Sequence, residues 1–261
     1  MIEVKNLTKV YKLSKKQMLK AKTKDNIKHA VKGISFEAKR GQIFGLLGPN
    51  GAGKTTTLRC ISTLIKATDG SINVNGYDVI TESRDVRKNI SFLTNELKLD
   101  GHFTPNNTVD YFGKLYGMND EDLKKRKLGL FHYFGITDFR NTKIADLSTG
   151  MKQKLSIAVS LIHDPDVIIF DEPTIGLDII TARAVTDYLM ELRSQGKTII
   201  ISTHIMSVAS KLCDEIAIIL DGEIKINGNL NTILISTNTE NLEDAFFKVY
   251  TDSKSGGNLD V

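Results

Sequence analysis

The chain has 261 residues, of which 41% are hydrophobic and 25% charged, as in ordinary globular proteins. This length suggests one large domain or two small ones. No apolar run approaches the roughly 20 residues that span a bilayer, and a net charge of +4 is too small to indicate a nucleic-acid partner. Residues 1–5 show no signal-peptide pattern. Cys60 and Cys213, the only cysteines, are predicted to be reduced thiols rather than metal ligands.

The N-terminal region alternates predicted strands with a lysine-rich stretch. Residues 2–4 and 30–38 have the period of strands. Between them, residues 12–32 contain lysines opposed only by Asp25, and their apolar residues follow no helical period. We interpret this stretch as a solvated insertion between strands. The alternative is a basic patch that attracts anionic lipid headgroups.

Residues 48–56 fit the pattern Gly, any four residues, Gly, Lys, Ser/Thr. A strand-like run, 43–47, precedes them and a helix-like run, 56–61, follows. Strand, glycine loop and helix start together direct backbone N–H groups and the helix dipole at a phosphate. Lys54 is suited to the β- and γ-phosphates, and the Thr55 hydroxyl to Mg²⁺. The predicted nucleotide-binding residues are Gly48, Pro49, Asn50, Gly51, Ala52, Gly53, Lys54, Thr55 and Thr56.

The pattern changes after two further predicted strands, 71–74 and 90–93. Residues 109–116 and 123–134 are amphipathic with a helical period, which predicts a helical subdomain over 95–147. We expect it to interrupt an α/β core made of residues 1–94 and 148–235. Residues 236–261 are predicted to form a polar tail, frayed at 253–257.

The C-terminal half returns to alternating strands and helices, which indicates a mainly parallel sheet with ligands at the carboxyl ends of its strands. The predicted helices are 151–162, 181–194 and 205–212, and the predicted strands are 167–170, 197–202, 215–220 and 223–226. No internal repeat is visible, so the whole chain is predicted to be a single domain with one phosphate loop.

The apolar run 167–170 ends in Asp171 and Glu172. A continuous apolar run is typical of a buried parallel strand, so we expect both acids to face the phosphate loop. Asp171 is suited to the Mg²⁺ shell, and Glu172 to the water that attacks the γ-phosphate. The alternative is a solvated strand end. A further stretch, 147–154, begins a helix with Ser148 as its N-cap, which alone indicates nothing more.

Over nearly its whole length the chain resembles the ATP-binding cassette (ABC) ATPases, whose motifs occur in the family's order. The resemblance implies an α/β P-loop NTPase with a mainly parallel core, an N-terminal antiparallel β-subdomain and an inserted helical subdomain. The matching positions are Tyr11 (adenine-stacking aromatic), 48–56 (phosphate loop), 147–151 (signature), Asp171 and Glu172 in 170–174 (acid pair), Asp178 in 176–178 (D-loop) and His204 in 202–204 (switch histidine).

Some positions depart from the family pattern. In the signature, Thr149 replaces a glycine and Met151 a glutamine, whereas Ser148 and Gly150 are retained. Asn95 stands where the family has its Q-loop glutamine and is one methylene shorter. The signature resembles that of exporter ATPases of the sodium-efflux (Nat-type) subgroup.

The resemblance implies an ATPase with ATP and Mg²⁺ as cofactors, with Lys54, Glu172 and His204 as catalytic residues and Thr55, Asn95 and Asp171 as metal ligands. Two copies would pair head to tail, so that Ser148, Thr149 and Gly150 of one contact the ATP of the other. We expect a cytoplasmic exporter motor on the inner face of the membrane, docked through 97–116 on a separate permease. The alternative is a soluble single-cassette ATPase, such as one of iron–sulfur cluster assembly.

Overall fold

The structure is a computed structural model that describes residues 1–21, 23–94 and 99–255, with side chains for all of these except 20 and 21. Lys22 and Asn95 therefore lie outside the described residues, as does part of the predicted docking segment 97–116. The strands are β1 (Ile2–Lys12), β2 (Ile27–Ala38), β3 (Ile43–Leu47), β4 (Asp69–Val74), β5 (Tyr77–Asp78), β6 (Ile90–Leu93), β7 (Val167–Asp171), β8 (Thr198–Thr203), β9 (Glu215–Leu220) and β10 (Glu223–Gly228).

Helices separate most of these strands. They are α1 (Lys15–Ala21), α2 (Lys54–Ile61), α3 (Ser83–Asn89), α4 (Pro105–Leu115), α5 (Asp120–Tyr133), α6 (Thr149–Leu161), α7 (Ile179–Ser194), α8 (Met206–Leu212), α9 (Leu230–Thr237) and α10 (Leu242–Ser255), with 3₁₀ turns at Thr137–Phe139 and Ile144–Asp146. Several begin at side-chain caps that the sequence provides: Thr104, Asn119, Ser148 and Asp178 each accept a hydrogen bond from the first turn of their helix.

The strands form two sheets. A four-stranded antiparallel sheet has the order β2-β1-β4-β5, and a six-stranded sheet has the order β10-β9-β3-β8-β7-β6. In the larger sheet β9, β3, β8, β7 and β6 are parallel, and β10 is antiparallel to β9. This architecture confirms the predicted fold class. It also places the carboxyl ends of β3, β7 and β8 side by side.

The alternation of side chains along the strands divides the core between the two faces of the larger sheet. Phe44 and Leu46 of β3 pack in a cluster with residues of the antiparallel sheet and α2. Ile43 of the same strand points to the opposite face, which packs against α4 to α7. Both faces are therefore covered, as an all-apolar parallel strand requires. The domain limits at 94/95 and 147/148 stay a prediction.

Several sequence predictions need correction. The antiparallel pairing extends further than expected, so that Tyr11 lies within β1 opposite Lys28 of β2, and the lysine-rich stretch contains the helix α1. Helix α3 and strand β5 were not predicted. The tail is not a polar extension, because residues 236–255 complete α9 and form α10. Leu242, Ala245 and Phe246 of α10 are buried against β9 and α8; residues 256 and 257 lie outside the described ranges.

Candidate functional site

The phosphate loop connects β3 to α2 and requires glycine at three positions. Gly51 and Gly53 have φ of +86° and +110°, in the region that other residues rarely adopt. A Cβ on Gly53 would lie 2.6 Å from the carbonyl oxygen of Ala30, and one on Gly48 would collide with the carbonyl oxygen of Ile219. The loop is therefore packed directly against the backbone of β2 and β9, which fixes its shape.

Lys54, the first residue of α2, is almost completely buried, with 5% of its surface exposed. Its Nζ donates hydrogen bonds to the carbonyl oxygens of Gly48 (2.7 Å) and Pro49 (3.2 Å). It also lies 3.6 Å from Oε1 of Glu172. Burial lowers the pKa of Lys54, whereas the negative charges of Glu172 and Asp171 raise it. The loop thus encloses an ammonium group that faces a carboxylate at the end of β7.

Asp171 and Glu172 are held by the neighbouring strand β8. Ser202 lies opposite Asp171 in the sheet, and its hydroxyl donates to Oδ1 of Asp171. The backbone N–H of Glu172 donates to the carbonyl oxygen (3.2 Å) and the hydroxyl (3.1 Å) of the same serine. Glu172 has a φ of +56°, so its backbone is left-handed although it is not glycine. One serine therefore positions both acids.

The Glu172 carboxylate contacts two other predicted site residues. Its Oε1 lies 2.9 Å from Nδ1 of His204 as well as 3.6 Å from Nζ of Lys54. Its Oε2 is buried, with no hydrogen-bond partner among the described residues. Buried polar atoms are rarely left without a partner. This oxygen is therefore free to accept a hydrogen bond from a bound molecule.

A cavity of about 190 Å³ lies over the phosphate loop. Its lining residues come from the antiparallel sheet, the loop, α2 and the end of β7: Tyr11, Lys28, Ala30, Asn50, Gly51, Gly53, Lys54, Thr55, Thr56 and Glu172. The structure thus places Tyr11 in the lining of the same cavity as the phosphate loop. Ser148, Thr149, Gly150, Asp178 and His204 are not among the described residues that line this cavity.

The signature residues lie at the start of α6, next to the start of α7. Ser148 caps α6, because its hydroxyl accepts a hydrogen bond from the N–H of Met151 (3.3 Å). Asp178 caps α7 and accepts from the N–H groups of Ile180 and Thr181, each at 3.0 Å, and from the Thr181 hydroxyl. These bonds from Thr181 hold the pKa of Asp178 below its usual value. A Cβ on Gly150 would lie 3.8 Å from the Asp178 carboxylate, so the two helix starts are neighbours.

Sequence reasoning missed two residues of the site. The sequence pattern groups Lys28 with the solvated lysines, but its pairing with Tyr11 across β1 and β2 places it in the cavity. Ser202 was recognised only as part of the stretch before His204. Its position on a parallel strand, one residue before the end, is the signal that could have placed it beside the acids.

If the chain hydrolyses ATP, as its sequence resemblance implies, replacing Ser202 with alanine is expected to lower kcat roughly tenfold with little change in ATP affinity, because the hydroxyl orients the two acids rather than the phosphate loop. Steady-state hydrolysis and equilibrium nucleotide binding measure the two effects. Ser194→Ala, at the exposed end of α7, is the matched control. Wild-type turnover by Ser202→Ala would show that the acids hold their positions without it.

Comparison with known proteins decides the family. A family model described as "ABC transporter" matches residues 31–175. The ABC transporter ATP-binding protein NatA of Bacillus subtilis (strain 168) is 39% identical over 224 residues, which cover 85% of this chain and 91% of NatA. The chain belongs to the ABC transporter ATP-binding proteins.

Two further relatives match over a smaller share of their own lengths. Linearmycin resistance protein LnrL of the same organism is 38% identical (77% of this chain, 66% of LnrL), and Nod factor export ATP-binding protein I of Ralstonia nicotianae is 38% identical (74% and 60%).

Solved ABC structures agree with this assignment. The cassette superposes on an ATP-binding subunit of an ABC transporter with a TM-score of 0.85 and 26% identity, covering 96% of this chain and 99% of that one. It also matches the dimeric cassette MJ0796 in a post-hydrolysis state with ADP and Pi, with a TM-score of 0.76 and 28% identity over 88% and 98% of the two chains. This ABC cassette is therefore an ATPase, as the sequence predicts. No helix within the described ranges is long and apolar enough to cross a membrane.

Proposed function

We propose that this cassette is the ATP-hydrolysing subunit of an ABC exporter and that Lys54, Glu172 and His204 perform the hydrolysis. The observation that carries the proposal is the Glu172 carboxylate. One of its oxygens contacts Lys54 and His204, the other is buried without a partner among the described residues, and Glu172 lines the cavity over the phosphate loop. This is the position from which a general base can accept a proton from a water that attacks the γ-phosphate.

The proposed site residues have distinct parts in this reaction. The N–H groups of the phosphate loop and the Lys54 ammonium bind the β- and γ-phosphates, and Tyr11 stacks on the adenine. Glu172 takes the proton of the attacking water. His204 fixes the orientation of Glu172 through the 2.9 Å contact, and its ring would also hydrogen-bond the γ-phosphate. The phosphate groups are thereby held in line with the attacking water, which lowers the entropic part of the barrier.

The same site suits Mg²⁺, with the Thr55 hydroxyl and the Asp171 carboxylate as its protein ligands. Both are oxygen donors, which Mg²⁺ prefers, and this ion is commonly held by one or two protein groups together with substrate phosphates. No group of three or more His, Cys, Asp or Glu side chains suited to a metal occurs among the described residues, which fits a site completed by the nucleotide. When bound, the ion neutralises phosphate charge. Asn95, the third predicted ligand, lies outside the described ranges.

The hydrolytic site is completed by a second cassette. Ser148, Thr149 and Gly150 are absent from the described lining of the cavity, although the start of α6 offers a hydroxyl, N–H groups and the positive end of a helix dipole. In a head-to-tail dimer these groups would close over the γ-phosphate of the partner copy. The dimeric state of MJ0796 supports this arrangement. We propose that the dimer is formed by two identical chains.

The exporter would also include a separate membrane permease. This cassette would dock on the cytoplasmic side of that permease. The Nod factor export protein supports the export direction, and the resemblance of the signature at 147–151 to that of sodium-efflux ATPases supports sodium as the substrate. Around α4, Phe103 and Tyr111 expose 50% and 63% of their surfaces and offer apolar area for docking. Co-purification of a multi-span protein from detergent-solubilised membranes, followed by ATP-dependent Na⁺ efflux from vesicles that contain both proteins, tests this proposal.

The same experiment distinguishes the exporter from the alternative, a soluble single-cassette ATPase. A chain found only in the soluble fraction, together with proteins of cluster assembly, would contradict the exporter and favour the single-cassette ATPase. Efflux of another solute without Na⁺ would retain the exporter and reject sodium.

Lys28→Ala is expected to weaken the binding of ATP and ADP about two- to fivefold and to leave adenosine binding unchanged, because Lys28 is an exposed cation beside the phosphate loop. Equilibrium titrations with the three ligands measure this difference. Lys24→Ala, another exposed lysine that does not line this cavity among the described residues, is the control. If Lys28→Ala binds ATP, ADP and adenosine with the same affinities as Lys24→Ala does, a phosphate contact by Lys28 is excluded.

A further inference from the structure

The end of the β1–β2 hairpin carries a cluster of exposed lysines, here called the lysine patch: Lys12, Lys15, Lys16, Lys24 and Lys28. The two strands pair as far as Lys12 and Ile27, and the patch surrounds the connection between them. Asp25 is the only acidic residue between 12 and 28. None of the five lysines forms an ion pair within the described ranges. Because clustered like charges repel one another, this surface favours an anionic partner.

Apolar side chains lie within the lysine patch. Lys15, Met18 and Leu19 of α1 have the i, i+3, i+4 spacing that places residues on one face of a helix. Leu19 exposes 80% of its surface, and Ile27 at the start of β2 exposes 50%. A surface cleft of about 640 Å³ is lined, within the described ranges, by Lys15, Met18, Leu19, Thr23 and Lys24. Cations and aliphatic side chains are therefore presented together.

The residue types of the lysine patch favour a lipid surface over a nucleic acid. Residues 12–28 contain neither arginine nor an aromatic residue, the types that commonly bind phosphates bidentately and stack on bases. The exposed side chains of Leu19 and Ile27 have no counterpart on a sugar–phosphate backbone, but they can enter the boundary between lipid headgroups and acyl chains. Lysines at such a boundary keep the ammonium group at the headgroups while the aliphatic stem lies along the apolar layer. An anionic bilayer therefore matches both the charge and the apolar side chains.

We infer that the lysine patch binds the anionic headgroups of a membrane directly and that the side chain of Leu19 inserts between them. Clusters of lysines beside a bilayer are attracted to anionic lipids, and an apolar side chain among them adds a contact that salt does not screen. The contact is made by this chain itself and requires neither a permease nor a nucleotide. It would hold the end of the hairpin that carries Tyr11 and Lys28 of the nucleotide cavity against the membrane surface.

The test measures co-sedimentation of the purified full chain with vesicles of phosphatidylcholine alone and of phosphatidylcholine with about 30% phosphatidylglycerol. We expect binding to the mixed vesicles only, weakened at least about tenfold at high salt because ions screen the attraction.

A variant with four patch lysines replaced by glutamine is expected to bind the mixed vesicles at least about thirtyfold more weakly, since each lysine adds to the attraction. The replaced residues are Lys12, Lys15, Lys16 and Lys24. Lys28 is kept, because it lines the nucleotide cavity. The matched control changes the net charge equally by replacing four exposed lysines elsewhere in the fold and should stay within about threefold of the parent. Its replaced residues are Lys39, Lys66, Lys143 and Lys211.

A single substitution tests the insertion of Leu19. Leu19→Ser removes the exposed apolar side chain without a change in charge and is expected to weaken binding to the mixed vesicles about three- to tenfold. Leu64→Ser is its control, because Leu64 lies outside the patch and exposes 59% of its surface. Thermal unfolding of every variant checks that it is folded.

Equal binding of the parent chain to both kinds of vesicle would overturn the inference, and so would equal weakening by the patch variant and its control. Binding of the patch to single-stranded RNA or to polyglutamate in place of the vesicles would overturn it as well. An unchanged affinity in Leu19→Ser would overturn the insertion of that side chain. Because the assay contains no permease and no ATP, each of these results leaves the proposed export function standing.

Discussion

Replacing Glu172 with glutamine is expected to lower the rate of ATP hydrolysis by at least about a hundredfold while ATP binding is retained. Glutamine has nearly the same shape, so it can still approach Lys54 and His204, but its amide is not basic enough to accept a proton from water. The Oε2 position, buried and without a partner among the described residues, is the one that loses its basicity. Phosphate release at saturating ATP measures the rate, and titration with ATP measures the affinity.

A glutamate far from the cavity provides the control for this change. Glu243→Gln, on the exposed side of α10, removes the same charge and should hydrolyse ATP at the wild-type rate. We also expect Glu172→Gln to accumulate as a dimer in ATP but not in ADP, because the γ-phosphate persists between the two copies. Hydrolysis by Glu172→Gln at the wild-type rate would mean that another group is the base.

Replacing Lys54 with alanine is expected to weaken ATP binding by more than about tenfold and to reduce hydrolysis below detection. The ammonium group is the buried cation of the phosphate loop, and alanine leaves the Gly48 and Pro49 carbonyl oxygens and the Glu172 carboxylate without it. The site then lacks its buried cation, while the Glu172 carboxylate and the carbonyl oxygens remain beside the phosphates. Equilibrium binding of ATP and ADP measures the loss.

Thermal unfolding without nucleotide is needed to interpret the Lys54 variant, because the lysine also holds the loop. Lys39→Ala removes an exposed lysine on the turn before β3 and should leave affinity and melting temperature unchanged. If Lys54→Ala is folded and binds ATP as the wild type does, the phosphates are bound by the loop N–H groups and α2 alone.

The parts of the site that could be predicted from sequence are those whose chemistry is contiguous along the chain. The phosphate loop needs small residues and a lysine within nine positions, 48–56, and the acids need only an apolar strand before them. Such local patterns report geometry directly, because neighbouring residues are placed by one loop or one strand end. The order of strands and helices around them could also be predicted from local sequence patterns. The structure reproduces the strands 43–47, 90–93 and 215–220 without change.

Features that depend on distant pairing were not predictable in the same way. Whether Lys28 is solvated or lines the cavity depends on the register of β1 with β2, which no local pattern specifies. The same holds for α10, whose sequence is polar overall but whose Leu242 and Phe246 are buried because β9 and α8 lie beneath them. Tertiary contacts, rather than intrinsic preference, therefore decide the structure of the tail.

The left-handed backbone of Glu172 has a consequence for the evolution of this enzyme. A glutamate at a φ of +56° raises the energy of the folded chain by roughly 1 kcal/mol relative to a glycine or asparagine there. Stability alone would favour glycine or asparagine at this position, whereas the proposed role of Glu172 as the general base requires a carboxylate. Glu172 therefore lowers the free energy of unfolding relative to a glycine at this position. In a lineage that no longer hydrolyses ATP, we expect this glutamate to be among the first residues replaced.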